Sequence, residues 1–326
     1  MFGSGVIAGS PSRGDLVFRC VIAIVLLAGA QWVGAAAAKP AGTVTILQGQ
    51  TTVIRGLSQF DAAEGMHLLA GDLVRTGKEA LLRIEYEDET SIAAGPDTVL
   101  QLNHPAARRA NRPGLYLLEG WLKISSGKTD PAGKPAAATL AMDVVDITGV
   151  VVMHCANGSL EMFTQEGTAR WIDRNPHGAQ PVTLKQGDFL TAGPDKPPKV
   201  EPRPAAQFAN SMPRSYRDTL PLRYALFKSR NVLPKGAVPF AYPDVEMWLN
   251  AEPTVRRQFV VLWRRKADNE AFRAALDHDL SKHPEWDPVL HPEKYEPPAS
   301  ATLNTPSTPS TPPAPPATGA PIPKNP

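Results

Sequence analysis

The sequence predicts a mainly β protein: a β-sandwich or roll of short antiparallel strands, followed by a small α-helical C-terminal extension and a disordered proline-rich tail. Three observations carry that class. Between residues 41 and 193, short runs that alternate apolar and polar residues follow one another closely, broken by Gly, Asn and Asp. Beyond residue 212 the apolar period lengthens to that of a helix. Proline makes up 34 of 326 residues, with eleven in the last 30 and five between Pro194 and Pro204, against roughly one in twenty in an average chain.

Strand candidates span residues 43–47, 51–55, 80–86, 91–94, 98–102, 115–118, 121–124, 139–147, 150–155, 159–164 and 168–172. In Leu82-Arg83-Ile84-Glu85-Tyr86-Glu87 the charges alternate with apolar residues, which predicts one packed face and one wet face. Gly49, Gly95-Pro96-Asp97, Glu119-Gly120, Asn157-Gly158 and Glu166-Gly167 punctuate the runs. Asn157-Gly158 between two apolar runs is a type I′ hairpin signal. The stretch Leu68-x-x-Gly71-Asp72 is echoed by Leu184-x-x-Gly187-Asp188, each followed by an apolar pair, a Thr and a Gly. Glycine supplies a positive φ and aspartate caps nearby amides, so both read as tight turns feeding a strand.

The C-terminal half changes character. Residues 194–212 read as a stiff, proline-rich linker. Residues 213–296 read as helical. Val245, Trp248 and Leu249 share one helical face, Val255, Phe259 and Leu262 another. Asp268-Asn269 looks like an N-cap before Phe272, Leu276 and Leu280, and Pro284 ends that helix. A core so thin is expected to pack on the β domain. Residues 297–326 hold Pro, Thr, Ser and Ala without aromatics and read as disordered.

At the N-terminus, Arg13 and Arg19 precede the apolar run 20–30, and Ala36-x-Ala38 follows. This is the pattern of a secretory signal peptide over residues 1–38, cleaved after Ala38. The run is shorter than the roughly 18 apolar residues of a spanning helix, so no stable membrane span is expected after cleavage. The alternative keeps residues 20–38 as a transmembrane segment of a membrane-anchored signalling regulator.

The formal net charge is +2, from 34 basic and 32 acidic residues, which predicts no steering toward nucleic acid. After cleavage Cys155 is the remaining cysteine, so no internal disulfide is expected. It reads as a buried small hydrophobe, and His154 beside it in a strand points to the other face. No catalytic, cofactor-binding or metal-binding residue is assigned. The enzyme alternative would use acidic residues such as Asp72, Asp188 or Glu119. His278, His283 and His291 lie among carboxylates, but their spacing is unlike that of paired helical ligands. Trp121, Trp171, Trp248, Trp263 and Trp286 read as core or interface residues, with a sugar platform at Trp121 or Trp171 as the rival. Arg256-Arg257 and Arg264-Arg265-Lys266 read as a solvated helix face, with contact to an anionic envelope surface as the rival.

Motifs in the first half resemble a known family. They are Gly42-Thr43-Val44-x-x-Leu47-x-Gly49, Val53-x-Arg55-Gly56, and Gly65-x-x-Leu68-Leu69-x-Gly71-Asp72-x-Val74-Arg75-Thr76-Gly77. Ala80-Leu81-Leu82-Arg83-Ile84 and Leu117-x-Glu119-Gly120-x-Leu122-Lys123 continue the match. Together these resemble the FecR-type periplasmic domain over about residues 41–193, within a β domain expected over 39–193. The turn residues Gly71, Asp72, Val74, Arg75, Thr76 and Gly77 are the most specific piece. The resemblance implies a β-rich extracytoplasmic module without catalytic residues. In the family's namesakes it relays the state of an outer-membrane receptor to a cytoplasmic sigma factor. Here only about 19 residues precede the apolar run, so no anti-sigma segment fits, and Thr148-Gly149-Val150-Val151 stands where the family has Arg-Gly-Thr. The chain is more similar to stand-alone exported FecR-domain proteins of Gram-negative bacteria. That implies a periplasmic, non-catalytic binding or scaffolding role, with an envelope protein or polysaccharide as partner and no cofactor or nucleic acid.

Overall fold

The computed structural model describes residues 41–102, 114–128, 133–174, 180–194 and 196–295. The signal peptide and the proline-rich tail expected from the sequence lie outside the described residues. The chain divides into two compact units, one ending at Arg256 and one beginning at Arg257.

The first unit is mainly β, as expected. Its strands are β1 (Gly42–Gln48), β2 (Thr51–Arg55), β3 (Ser58–Asp61), β4 (His67–Leu68), β5 (Leu73–Thr76), β6 (Leu81–Glu85), β7 (Ser91–Ala94) and β8 (Val99–Leu102). Then follow β9 (Leu115–Ser125), β10 (Ala137–Ala138), β11 (Met142–Ala156), β12 (Ser159–Asp173), β13 (Val182–Lys185), β14 (Phe189–Gly193), β15 (Lys196–Glu201) and β16 (Lys235–Pro239). All belong to one 16-stranded hydrogen-bonded network. Its pairs are antiparallel except β9 with β10.

The long strands fold this network over one core. The first half of β9 pairs β8, and its second half pairs β7 and β11. β12 likewise pairs β14 along its first half and β13 along its second. Strands that switch partners midway make the corners of such a fold. Both branches bury aliphatic residues in one cluster: Val53, Val74, Leu100 and Leu117 from one, Leu82, Ile84, Leu122 and Val151 from the other.

Here the strand lengths differ from the sequence expectation. Residues 115–118 and 121–124 are one strand, as are the two runs within β11 and the two within β12. Gly120 and Gly167, expected to end strands, lie inside them. Gly149 and Gly167 face each other in register, with φ of 75° and 72°. A Cβ on Gly167 would sit 2.2 Å from the Thr148 carbonyl oxygen. These glycines permit a bulge and a close backbone approach instead of a turn. Asn157-Gly158 does form the hairpin turn between β11 and β12, with φ of 51° and 73°.

The stretch expected as a linker is partly ordered into the sheet. β15 pairs β14 as an edge strand, and Pro197 and Pro198 lie where its register shifts, between the pairs Gly193–Lys196 and Thr191–Lys199; edges and bulges are where a sheet tolerates proline. Helices α1 (Ala206–Ser211) and α2 (Tyr224–Phe227) follow. β16 then pairs β3, and α3 (Tyr242–Leu249) buries Val245, Trp248 and Leu249, the face read from sequence. The extension up to Arg256 is therefore part of the β unit.

The second unit holds the end of α4 (Pro253–Leu262), then α5 (Glu270–His278) and α6 (Asp287–Leu290). Asn269 caps α5 as predicted, its Oδ1 accepting from Phe272 N at 3.0 Å. Phe272, Leu276, Trp286 and Leu290 are buried. In α4 the predicted face is corrected: Leu262 is 55 % exposed. Trp263, four residues after Phe259, takes the inward position and stacks on it at 4.2 Å between ring centroids.

Candidate binding cleft

Strands β6, β7, β9 and β11 turn Leu82, Ile84, Ile92, Leu122 and Val151 into the core. Alternation therefore turns Leu81, Arg83, Glu85, Ala93, Trp121, Lys123 and Val152 to the other face. The sequence predicted that face to be wet at Arg83 and Glu85. It is not: Arg83 is 8 % exposed and Glu85 is fully buried. The reason is distant in sequence. Residues 206–227 run across this face as a strap.

The strap is held by an aromatic cluster at one end. Phe208 packs on Trp121 and Phe189, with ring centroids 5.2 and 5.0 Å apart. Trp121 also stacks on His154 at 4.2 Å, whose Nδ1 lies 3.1 Å from Glu161 Oε2. Polar contacts hold the rest. The Tyr216 hydroxyl lies 2.7 Å from the Ala93 carbonyl and 2.9 Å from that of Trp121. Lys123 Nζ donates to the Tyr216 carbonyl at 2.5 Å, and Arg83 Nη1 to the Leu220 carbonyl at 3.0 Å. Glu85 Oε2 accepts the amides of Arg223 and Tyr224 at 2.7 and 2.6 Å, so the buried carboxylate closes the first turn of α2. Its Oε1 lies 3.1 Å from Arg83 Nε.

Between strap and sheet a cleft of about 270 Å³ remains open. Leu81, Arg83, Ala93, Lys123 and Val150 line its sheet side, and Tyr216, Asp218, Thr219 and Leu222 its strap side. Ser91, Ser125, Ser215 and Gln165 add neutral polar groups, and Glu89 and Glu166 add charge. Burial pulls the Lys123 ammonium below the usual lysine range; Glu166 and Asp218 oppose this, and Arg83 adds to it. Burial likewise lowers the Arg83 guanidinium, against the pull of Glu85. The cations are already engaged with strap carbonyls and balanced by carboxylates. What the cleft offers a visitor is a nearly neutral, hydrogen-bonding surface with short apolar patches, suited to a main chain or to sugar hydroxyls.

None of the motif residues Gly71, Asp72, Val74, Arg75, Thr76 or Gly77 lines this cleft. They build a corner. Gly71 has φ of 91°, and Asp72 Oδ2 accepts the Leu69 amide at 2.8 Å. The echo is geometric as well: Gly187 has φ of 94°, and Asp188 Oδ2 accepts the Lys185 amide at 2.8 Å. Asp72 is buried and also takes Arg55 through Nε and Nη2, at 2.8 and 2.6 Å. Val74 is in the core, Arg75 is exposed, and the Thr76 hydroxyl donates to the Gly95 carbonyl at 2.6 Å. The Gly77 amide donates to the Gln50 carbonyl.

Other candidates are also placed. Asp72 and Asp188 each close their own turn, and Glu119 lies on β9 opposite Val99. Cys155 is buried in the core, where desolvation, and then Glu119, push its thiol up. His154 faces the strap, so the two neighbours do point apart. His283 is fully buried with Nε2 3.1 Å from the Leu276 carbonyl, while His291 Nε2 pairs Asp277 at 2.9 Å. Among the described residues, no three His, Cys, Asp or Glu side chains converge as a metal site would require. All five tryptophans singled out from sequence are buried, which removes Trp121 and Trp171 as an exposed sugar platform.

The strap contacts were not anticipated from sequence. A signal was present: Trp121, Val152 and Phe163 are large and apolar on the sheet face that also carries Arg83. A face bearing such residues needs a cover.

No protein-family profile matches this chain, and no curated protein does. Among solved structures, two crystal structures of a candidate anti-sigma factor from Parabacteroides distasonis are similar at 11% identity, with TM-scores of 0.34 and 0.32. The similarity covers 42% and 41% of this chain and 61% and 60% of those. The chain thus spans about three-fifths of their length. Likeness of that size carries nothing about this chain's activity. Among the described residues, no helix is long and apolar enough to cross a membrane.

Proposed function

We propose that the chain is an exported FecR-like protein of the Gram-negative periplasm that binds an envelope partner without catalysis. The cleft beneath the strap is its seat. The observation that carries this reading is the cleft itself: an open, nearly neutral space of about 270 Å³ built on a sheet face that is otherwise sealed. Its volume lies just under the range of small-molecule sites, about 300–1,000 Å³. It suits one or two residues of an extended polypeptide or one ring of a polysaccharide. The two cations are committed to the strap, so the partner is recognised by hydrogen bonds and shape more than by charge.

The test is retention of residues 39–296 on purified sacculi, envelope polysaccharides and periplasmic extract. Ser125→Trp, which fills the cleft from its floor, is the paired variant. The expected outcome is retention by one of these that Ser125→Trp abolishes. Retention on none, or retention that Ser125→Trp leaves intact, overturns the reading. Export is read separately from the intact mass of the periplasmic protein: a chain starting at Lys39 supports cleavage, and one retaining residues 20–38 favours the membrane-anchored regulator.

A further inference from the structure

From Pro253 to Ala267 the chain carries Arg256, Arg257, Arg264, Arg265 and Lys266 and no acidic residue. Acidic residues resume at Asp268 and Glu270. In the second unit this stretch is the end of α4 and the 3-10 turn Arg264–Asp268. Its inward side is Phe259, Trp263 and Ala267, all buried. Its outward side is Arg257, Val261, Leu262, Arg264 and Arg265, all exposed. Val261 is 81 % exposed and Leu262 55 %, the first the most exposed large hydrophobic residue described. Among the described residues, none forms an ion pair with Arg257, Arg264 or Arg265.

Two adjacent apolar side chains in water, flanked on both sides by arginines that pair with none of the described residues, serve no packing purpose among those residues. Guanidinium groups match phosphate oxygens in geometry and charge. An aliphatic pair between them is rewarded only where an apolar layer lies just behind the phosphates. A nucleic acid or a purely ionic polymer would use the arginines and leave the pair in water.

We infer that the face formed by Arg257, Val261, Leu262, Arg264 and Arg265 docks on an anionic phospholipid surface. The arginines meet headgroup phosphates, and Val261 and Leu262 enter the boundary of the acyl layer. The contact is peripheral and reversible, and it stands independently of the cleft.

The test is co-sedimentation of the purified chain with vesicles of equal parts phosphatidylglycerol and phosphatidylcholine, and with phosphatidylcholine alone. Any apolar segment elsewhere contributes equally to every variant, so ratios between variants are read. Each arginine near an anionic surface is worth about fivefold in partition. The triple change Arg257→Ser, Arg264→Ser, Arg265→Ser should weaken binding to the anionic vesicles on the order of 100-fold, whereas lysine at all three restores most of it. Val261→Ser with Leu262→Ser, at unchanged charge, should weaken it roughly tenfold. All these sites are exposed, and an unchanged circular-dichroism spectrum and thermal midpoint establish folding. The proposal is overturned if neutral and anionic vesicles bind the chain alike, or if the triple variant binds undiminished. It is equally overturned if the Val261/Leu262 variant keeps full affinity, for then the face is a docking site for a soluble polyanion such as heparin.

Discussion

The two faces of strands β6, β7 and β9 are both covered, one sealed and one leaving a cleft, and they are chemically opposite. On one, Leu82, Ile84 and Leu122 disappear into an aliphatic core. On the other, Arg83 and Glu85 are just as hidden, under a strap anchored by a phenol, a lysine, an arginine and a carboxylate. The first face needs no particular partner, because any apolar neighbour of the right volume serves. The second depends on directional bonds, each of which leaves a buried group stranded if its partner is lost. Alternation in sequence therefore reports what two faces are made of. It does not report whether both are covered.

Alkaline pH should break the comparison most strongly. Burial is the largest cause at each site and raises the phenols of Tyr86, Tyr116 and Tyr216 above their usual range. Folded tyrosine then keeps its proton while unfolded tyrosine loses it near pH 10. The stabilisation is complete below that pH and is lost as pH rises above it. Each group contributes about 1.4 kcal/mol per pH unit, so the three together give a slope of about 4 kcal/mol per unit. Lys123 works the other way, since its lowered pKa relieves a penalty as pH approaches the ordinary lysine value. Urea denaturation between pH 9 and 11 measures the slope. Tyr216→Phe should remove about a third of it, and an unchanged slope in that variant would mean that the strap leaves the sheet before the tyrosine ionises.

Glu85→Ala should come next, at about 3–5 kcal/mol, because it strands a buried arginine and two amides. Its signature is local: hydrogen exchange should accelerate first at the Arg223 and Tyr224 amides. Leu122→Ala, on the other face of the neighbouring strands, should cost about 2–5 kcal/mol. It should lower protection across the whole β unit with no preference for the strap. If both variants gave the same exchange pattern, the two faces would be one cooperative core.

The twin turns give the finest contrast. Asp72 and Asp188 make the same amide contact, but Asp72 alone is buried against Arg55. Asp72→Ala should cost about 2 kcal/mol and Asp188→Ala about 1 kcal/mol or less, measured as shifts in the denaturation midpoint.

Much of the inner architecture was legible. The alternating run around Ile84, the positive-φ turn at Asn157-Gly158, the Asn269 cap and the burial of five tryptophans all follow from local chemistry that a short window contains. The strand ends expected at Gly120 and Gly167 did not, because the same residue that ends a strand also lets one bulge, and the choice depends on what lies opposite. The cleft was not legible either. Arg83 bonds to Leu220 and Glu85 to Arg223, across separations of 137 and 138 residues. Neither pattern nor propensity at either end encodes that meeting.

The sequence by itself determined that the chain would be β-rich, which side of the 82–87 run would face the aliphatic core, and that Asn157-Gly158 would turn the chain, since these depend on residues within a few positions of one another. Only the tertiary structure decided that the charged side would be roofed, that three pairs of predicted strands would run on as single bent ones, and that a cleft would stay open under the strap. Those outcomes depend on which distant segment arrives to satisfy a buried charge, and a buried charge accepts only a partner of the right geometry.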